Sequence, residues 1–276
     1  MHLTTLPSPT FLLLQQEGYL IRSSLLSGLH HLRNARVDTK GHFYTAFFQL
    51  SIGIERLLKT TFIVNFMSRN NLQLPTNGEL RKFSHRITDL FDHLAATSGI
   101  AKPNPLLEIV AGSIERDILG MLNEFATTSR YYNLDELANC SKASDPLAQW
   151  DLIIKRILEE DVRDHDKNRI SIRSEFLANA MKDRVVVVAT DLQRQQMTLM
   201  DSIHNPQLHD RAARYAVLHM MNIIRPVVTQ LDDICHKIHL GAKADGHSHA
   251  PVPYMNEFFT FTYYDRSAIL RKKKWP

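Results

Sequence analysis

The densest set of chemistry-bearing side chains lies toward the C-terminus. Asp232, His236 and His239 recur at four- and three-residue steps, so on a helix they share one face, and Asp245, His247 and His249 follow. Imidazoles and carboxylates at such spacing hold zinc or a similar divalent ion, the basis of a metal-dependent hydrolase. The same residues also suit a helix end, where cations oppose the dipole, and Gly246-His247-Ser248-His249 suits a solvated loop. A second set, Arg81, His85 and Asp92, shares a helical face opposite Phe83 and Ile87. It fits a phosphate, a small acid–base group or a solvated surface. Glu55 and Lys59 stand at i and i+4, the spacing of a surface ion pair.

Several chemistries find no residues to support them. No two glycines stand in Gly-x-Gly spacing, so a Rossmann or Walker phosphate loop is not expected, and no organic cofactor is implied. There is no Gly-x-Ser-x-Gly elbow, no His-Glu-x-x-His and no Cys-x-x-Cys. Cys140 and Cys235 read as packing residues.

These residues need elements to position them, and the apolar pattern is helical almost throughout. At 276 residues, 44% hydrophobic and 22% charged, the chain can bury a large core. Ser8-Pro9 reads as a cap and first turn for a helix over about 9–34. Phe43, Ala46, Phe47, Leu50, Ile54, Leu57, Leu58, Thr61 and Phe62 form the clearest amphipathic stripe. A third helix carries Leu80, Phe83, Ile87, Leu90, Phe91 and Leu94, and a fourth is expected over about 105–128. The polar stretch 139–144 marks an internal boundary before the strong start Asp145-Pro146. Beyond it the pattern predicts a helix over about 146–164, a charged loop over 163–169 and a helix over 174–203. Val185 to Val188 leaves a buried strand open. Asn205-Pro206 opens a last helix ending at Leu240 with a Gly241 stop and a kink at Pro226. Phe258 to Tyr263 alternates as a short strand or extended arm would, packed on its own body or a partner.

The formal charge of +4 is concentrated at one end. Arg266, Arg271, Lys272, Lys273 and Lys274 are basic, and outside 266–276 there are 28 basic against 29 acidic residues. A neutral body argues against a broad phosphate-tracking surface, while the tail can add affinity for RNA or a protein partner. Pro7 and Pro9 precede the short run Phe11 to Leu14, which does not read as a signal peptide. No run reaches the roughly 18 apolar residues of a membrane span, so no membrane partner and a cytoplasmic location are expected.

Phe43-Tyr44-Thr45-Ala46-Phe47-Phe48, Ser51 to Lys59 and Lys82-Phe83-Ser84-His85-Arg86-Ile87 with Leu90 resemble HEPN domains over about residues 35–135. The resemblance implies an all-α, HEPN-like bundle at 1–140, here followed by a helical second portion at 141–240 and a loop and basic C-terminal arm at 241–276. It also implies a homodimer and a bacterial defence or stress system linked to nucleic acid, within a group rich in metal-independent ribonucleases. Those enzymes pair an Arg with a His four to six residues on, the guanidinium steadying phosphate charge and the imidazole moving a proton. Arg130 stands where the family would place its arginine and joins Arg81 and His85 as a candidate phosphate binder, but no histidine follows until His165. Arg214 and His219 have the right count in a different place. On a regular helix they point some 140° apart, and His219 shares an apolar face with Leu208, Ala212 and Tyr215. The preferred expectation is an interaction module. An endoribonuclease using Arg214 and His219 and a metal-dependent hydrolase are the alternatives, so enzymatic activity is left open.

Overall fold

The computed structural model describes residues 7–97, 104–140, 143–182, 184–244 and 250–275. The described residues form an all-α bundle without a β-strand, and none of their helices is long and apolar enough to cross a membrane.

Two long antiparallel helices come first among the described residues, α1 (Pro9–Asn34) and α2 (Gly41–Arg69). Ser8 caps α1 by accepting from the Phe11 amide at 3.1 Å, with Pro9 occupying a position that needs no donor. The two helices approach closely because each offers a glycine to the other's leucine. A Cβ on Gly28 would lie 2.6 Å from Leu50 Cγ, and one on Gly53 would lie 2.7 Å from Leu25 Cδ2. The expected stripe on α2 is buried from Phe43 to Leu58.

The third expected helix is two elements, α3 (Asn77–Arg81) and α4 (Ile87–Thr97). Thr76 and Glu79 form a reciprocal capping box on α3, and Ser84 at φ 47° turns the chain between the two. The helix expected over 105–128 is likewise divided. A 3-10 turn at Pro105–Glu108 is followed by Gly112 at φ 84°, and α5 (Ile114–Thr127) starts afresh where Ser113 accepts from the Arg116 amide. A short turn at Ser129–Tyr131 leads into α6 (Tyr132–Leu137). As expected, Asp145-Pro146 opens the next helix, α7 (Pro146–Glu160), with the Asp145 carboxylate accepting from the Leu147 amide at 2.9 Å.

Three further expectations are corrected. Residues 164–169 are not a charged loop but the start of α8 (Asp164–Met181), because Asp164 and Asp166 favour the helix N-terminus and pair forward with Lys167 and Arg169. The helix expected over 174–203 stops at Met181. Beyond it lies an irregular loop around Asp191, whose carboxylate accepts from the Gln193 and Gln195 amides, with a lone bridge between Thr190 and Gln196. Val185 to Val188 is neither strand nor helix, and Val186 and Val188 are exposed. The last long helix, α9 (Leu199–Ala244), begins before Asn205-Pro206, since Thr198 and Asp201 cap it reciprocally, and it continues past Gly241.

The Phe258 to Tyr263 alternation belongs to 3-10 turns over Met255–Tyr263 rather than a strand, followed by α10 (Arg266–Arg271). Phe258, Phe259 and Phe261 are buried, and Trp275 closes the described chain inside the core. One hydrophobic cluster runs from Leu14 to Trp275, with α9 as its spine through Ala212, Ala216, Met220, Ile224 and Leu231.

Candidate functional site: an arginine-lined cavity

The segment just after α1, the first half of α8 and the early part of α9 frame an open cavity of about 590 Å³. Arg36, Arg169, Arg173 and Arg211 line it, with Gln207, Asp210, Ile170 and Pro206. Helical spacing explains the convergence: Arg169 and Arg173 are one turn apart on α8, and Gln207 and Arg211 are one turn apart on α9. The wall between these helices is fixed where Gln207 Nε2 donates to Ser174 Oγ at 3.1 Å, and Ser174 and Ile170 are the residues by which α8 is buried.

The cations outnumber the carboxylates that serve them. Asp210 accepts from Arg33 Nη1 at 3.0 Å, and Arg33 is 3% exposed. Asp166 lies 3.5 Å from both Arg169 Nη2 and Arg211 Nη2, while Arg36 pairs with Asp38 at 3.2 Å. Arg173 has no hydrogen-bond or ion-pair partner among the described residues. The Nε atoms of Arg33 and Arg214 are buried without partners. Burial, then the nearby charges of Arg211 and Arg33, push the Arg214 guanidinium below its usual pKa. A guanidinium presents a rigid fork of donors that matches phosphate oxygens two at a time. Several such forks around one concave volume, with carboxylates in the minority, are chemically suited to a phosphate-bearing ligand.

A second cluster has the opposite balance. His219 Nδ1 donates to Glu115 Oε1 at 2.8 Å and Nε2 donates to Asp161 Oδ2 at 2.8 Å, and Asn222 Nδ2 donates to the same Glu115 oxygen at 2.9 Å. Burial alone would discharge the imidazole, but the hydrogen bonds and charges of Asp161 and Glu115 outweigh it and raise the His219 pKa to about 9. Burial likewise opposes the Glu115 charge, and donation from His219 and Asn222 overcomes it, lowering that pKa to about 2. At neutral pH the group is a carboxylate–imidazolium–carboxylate link joining α5, the end of α7 and α9.

The structure separates the residues that sequence spacing singled out. Arg214 adjoins the arginine group, whereas both ring nitrogens of His219 are engaged by carboxylates, and no hydrogen bond joins the pair. His85, in the turn after α3, lies 3.1 Å from both Glu55 oxygens, and Lys59 Nζ donates to Glu55 at 2.7 Å. Arg130 sits over the Phe48 ring at 5.2 Å and donates to the Ala126 carbonyl. Arg81 is exposed and bonds to neither His85 nor Arg130, and Asp92 is taken bidentately by Arg116. Among the described residues no group of three or more His, Cys, Asp or Glu side chains is placed to hold a metal ion. His236 is exposed, Asp232 is half-buried, and His239 Nε2 donates to the Val252 carbonyl at 2.8 Å beside the Tyr254 ring. Asp245, His247 and His249 lie outside the described residues. Sequence reading missed the arginine cavity. Its available signals were the Arg169/Arg173 and Arg33/Arg36 spacings, whose partners are far away in the chain.

Comparison with protein-family models, with curated proteins and with solved structures returned no match.

Proposed function

We propose that this protein is a helical interaction module that holds phosphate groups of an anionic partner in the cavity framed by Arg36, Arg169, Arg173 and Arg211. One observation carries the reading: guanidinium groups outnumber carboxylates around a concave volume, and among the described residues Arg173 is left without a partner. The volume falls in the ordinary range of small-ligand pockets. In the same reading residues 35–135 are HEPN-like, the working unit is a homodimer in the cytoplasm, and the anionic partner belongs to nucleic-acid-linked defence or stress biology. The packing of α2 against α4 and α5 is consistent with such a bundle.

The binding reading is preferred over a ribonuclease built on Arg214 and His219. An imidazolium with both nitrogens donating to carboxylates is not available as a base near neutrality.

Calorimetric titration with inorganic pyrophosphate at low ionic strength tests the proposal. Saturable binding is expected, weakened about tenfold or more by Arg173→Ala or Arg211→Ala, as suits a charged hydrogen bond worth about 1.5–3 kcal/mol. Equal affinity in wild type and both variants overturns it.

A further inference from the structure

The basic C-terminal segment does not leave the body at a random place. Asn34 Nδ2, at the end of α1, donates to the Lys273 carbonyl at 3.1 Å. Asn34 lies between Arg33, which holds Asp210, and Arg36, which lines the arginine cavity. The segment is anchored on both sides of this bond. Trp275 is buried, and Lys272 Nζ lies over the Tyr264 ring at 4.5 Å and the Trp275 ring at 5.7 Å. Lys273 and Lys274 are exposed and make no hydrogen bond or ion pair through their ammonium groups among the described residues. The fold therefore docks the backbone of a segment with two unneutralised ammonium groups at the end of α1, two residues before Arg36, one of the four arginines of the cavity.

Resting on the phosphate-binding reading above, we infer that the cavity and Lys273–Lys274 form one two-part site whose occupant is a single-stranded nucleic acid, one phosphate group seated among the arginines and neighbouring phosphates against the lysines. A ligand confined to the cavity would leave the lysines idle, whereas a chain of regularly spaced phosphates reaches both. The balance of charge favours one strand over a duplex, because outside 266–276 there are 28 basic and 29 acidic residues. That leaves no broad basic face to follow two backbones. Tyr263 is 68% exposed at the start of the same terminal segment and offers a ring on which a base can stack, which inorganic polyphosphate cannot use.

The experiment is fluorescence anisotropy of the full chain with a labelled oligouridylate over a series of salt concentrations, beside calorimetry with pyrophosphate. Removing two phosphate contacts in Lys273→Gln/Lys274→Gln is expected to make the slope of log affinity against log salt shallower by about 1.4, with pyrophosphate affinity unchanged. The substitution preserves the docking bond, which uses the backbone carbonyl. Asn34→Ala, which releases the segment, is expected to act in the same direction on the oligouridylate alone. An unchanged slope in both variants overturns the inference while the pyrophosphate result upholds the cavity. Duplex RNA or inorganic polyphosphate binding as tightly as the oligouridylate overturns the assigned occupant. If Arg173→Ala alters neither ligand, the cavity reading itself fails.

Discussion

The His219 cluster and the arginine cavity both concentrate charge on α9, yet they are built in opposite ways. At His219 one imidazolium meets two carboxylates and every ring donor is used. In the cavity four arginines share a lining with Asp210, which Arg33 already occupies. Charge that is buried and fully paired ties elements together, and losing one member strands the others. Surplus charge of one sign adds little to stability and repels itself, but it is ready for a ligand of the opposite sign. The contrast distinguishes a structural link from the proposed binding site by the balance of charge rather than by residue type.

The sharpest way to break this contrast is His219→Leu. It leaves Glu115 and Asp161 without their shared donor and is expected to cost about 3–5 kcal/mol in urea unfolding. Replacing both carboxylates with their amides in the same variant should recover part of the loss. A cost below about 1 kcal/mol would show that the link does not hold the helices.

The pH dependence of stability comes next. Because the folded His219 pKa is raised from 6.5 to about 9, its contribution is complete below pH 6.5 and fades as pH rises to about 9, with an upper size of about 3 kcal/mol. Glu115 is lowered from 4.5 to about 2, so its share of the same link fades as pH falls from 4.5 toward 2. Urea midpoints measured across both limbs should decline at each end, and His219→Gln should flatten the alkaline limb.

Arg173→Ala sharpens the other half. Stability should change by less than about 1 kcal/mol, because no protein partner is lost, even as phosphate affinity falls. A large destabilisation would make Arg173 a structural residue. The smallest effect belongs to Lys59→Ala, which removes the half-buried Glu55 pair and should cost only a few tenths of a kcal/mol by thermal unfolding.

Much of the helical frame was legible because it depends on local rules. Ser8-Pro9 and Asp145-Pro146 start helices as their caps require, and the α2 stripe is buried as its spacing demands. The errors arose where local signals compete. The apolar stripe across residues 80–94 hides a turn because Phe83, though outside a helix, still packs against the core. Charges at 164–169 look solvated whether on a loop or on the first turns of α8. The candidate site was less legible, because Arg36, Arg173 and Arg211 meet only after α1, α8 and α9 have packed. Conversely, the His219 spacing was visible, but the acids that claim it come from distant elements.

The contact between Gly18 and Phe258 has a consequence for the birth of the chain on the ribosome. A Cβ on Gly18 would stand 2.6 Å from Phe258 Cδ2, and the Tyr19 ring meets the Phe258 ring edge-on at 4.9 Å. The first helix is made early, but the ring that covers its outer groove is translated about 240 residues later, after a delay on the order of ten to fifty seconds at ordinary elongation rates. Throughout that interval the Gly18–Tyr19 strip of the nascent helix has no Phe258 ring to cover it, so this apolar surface stays in contact with water until Phe258 docks.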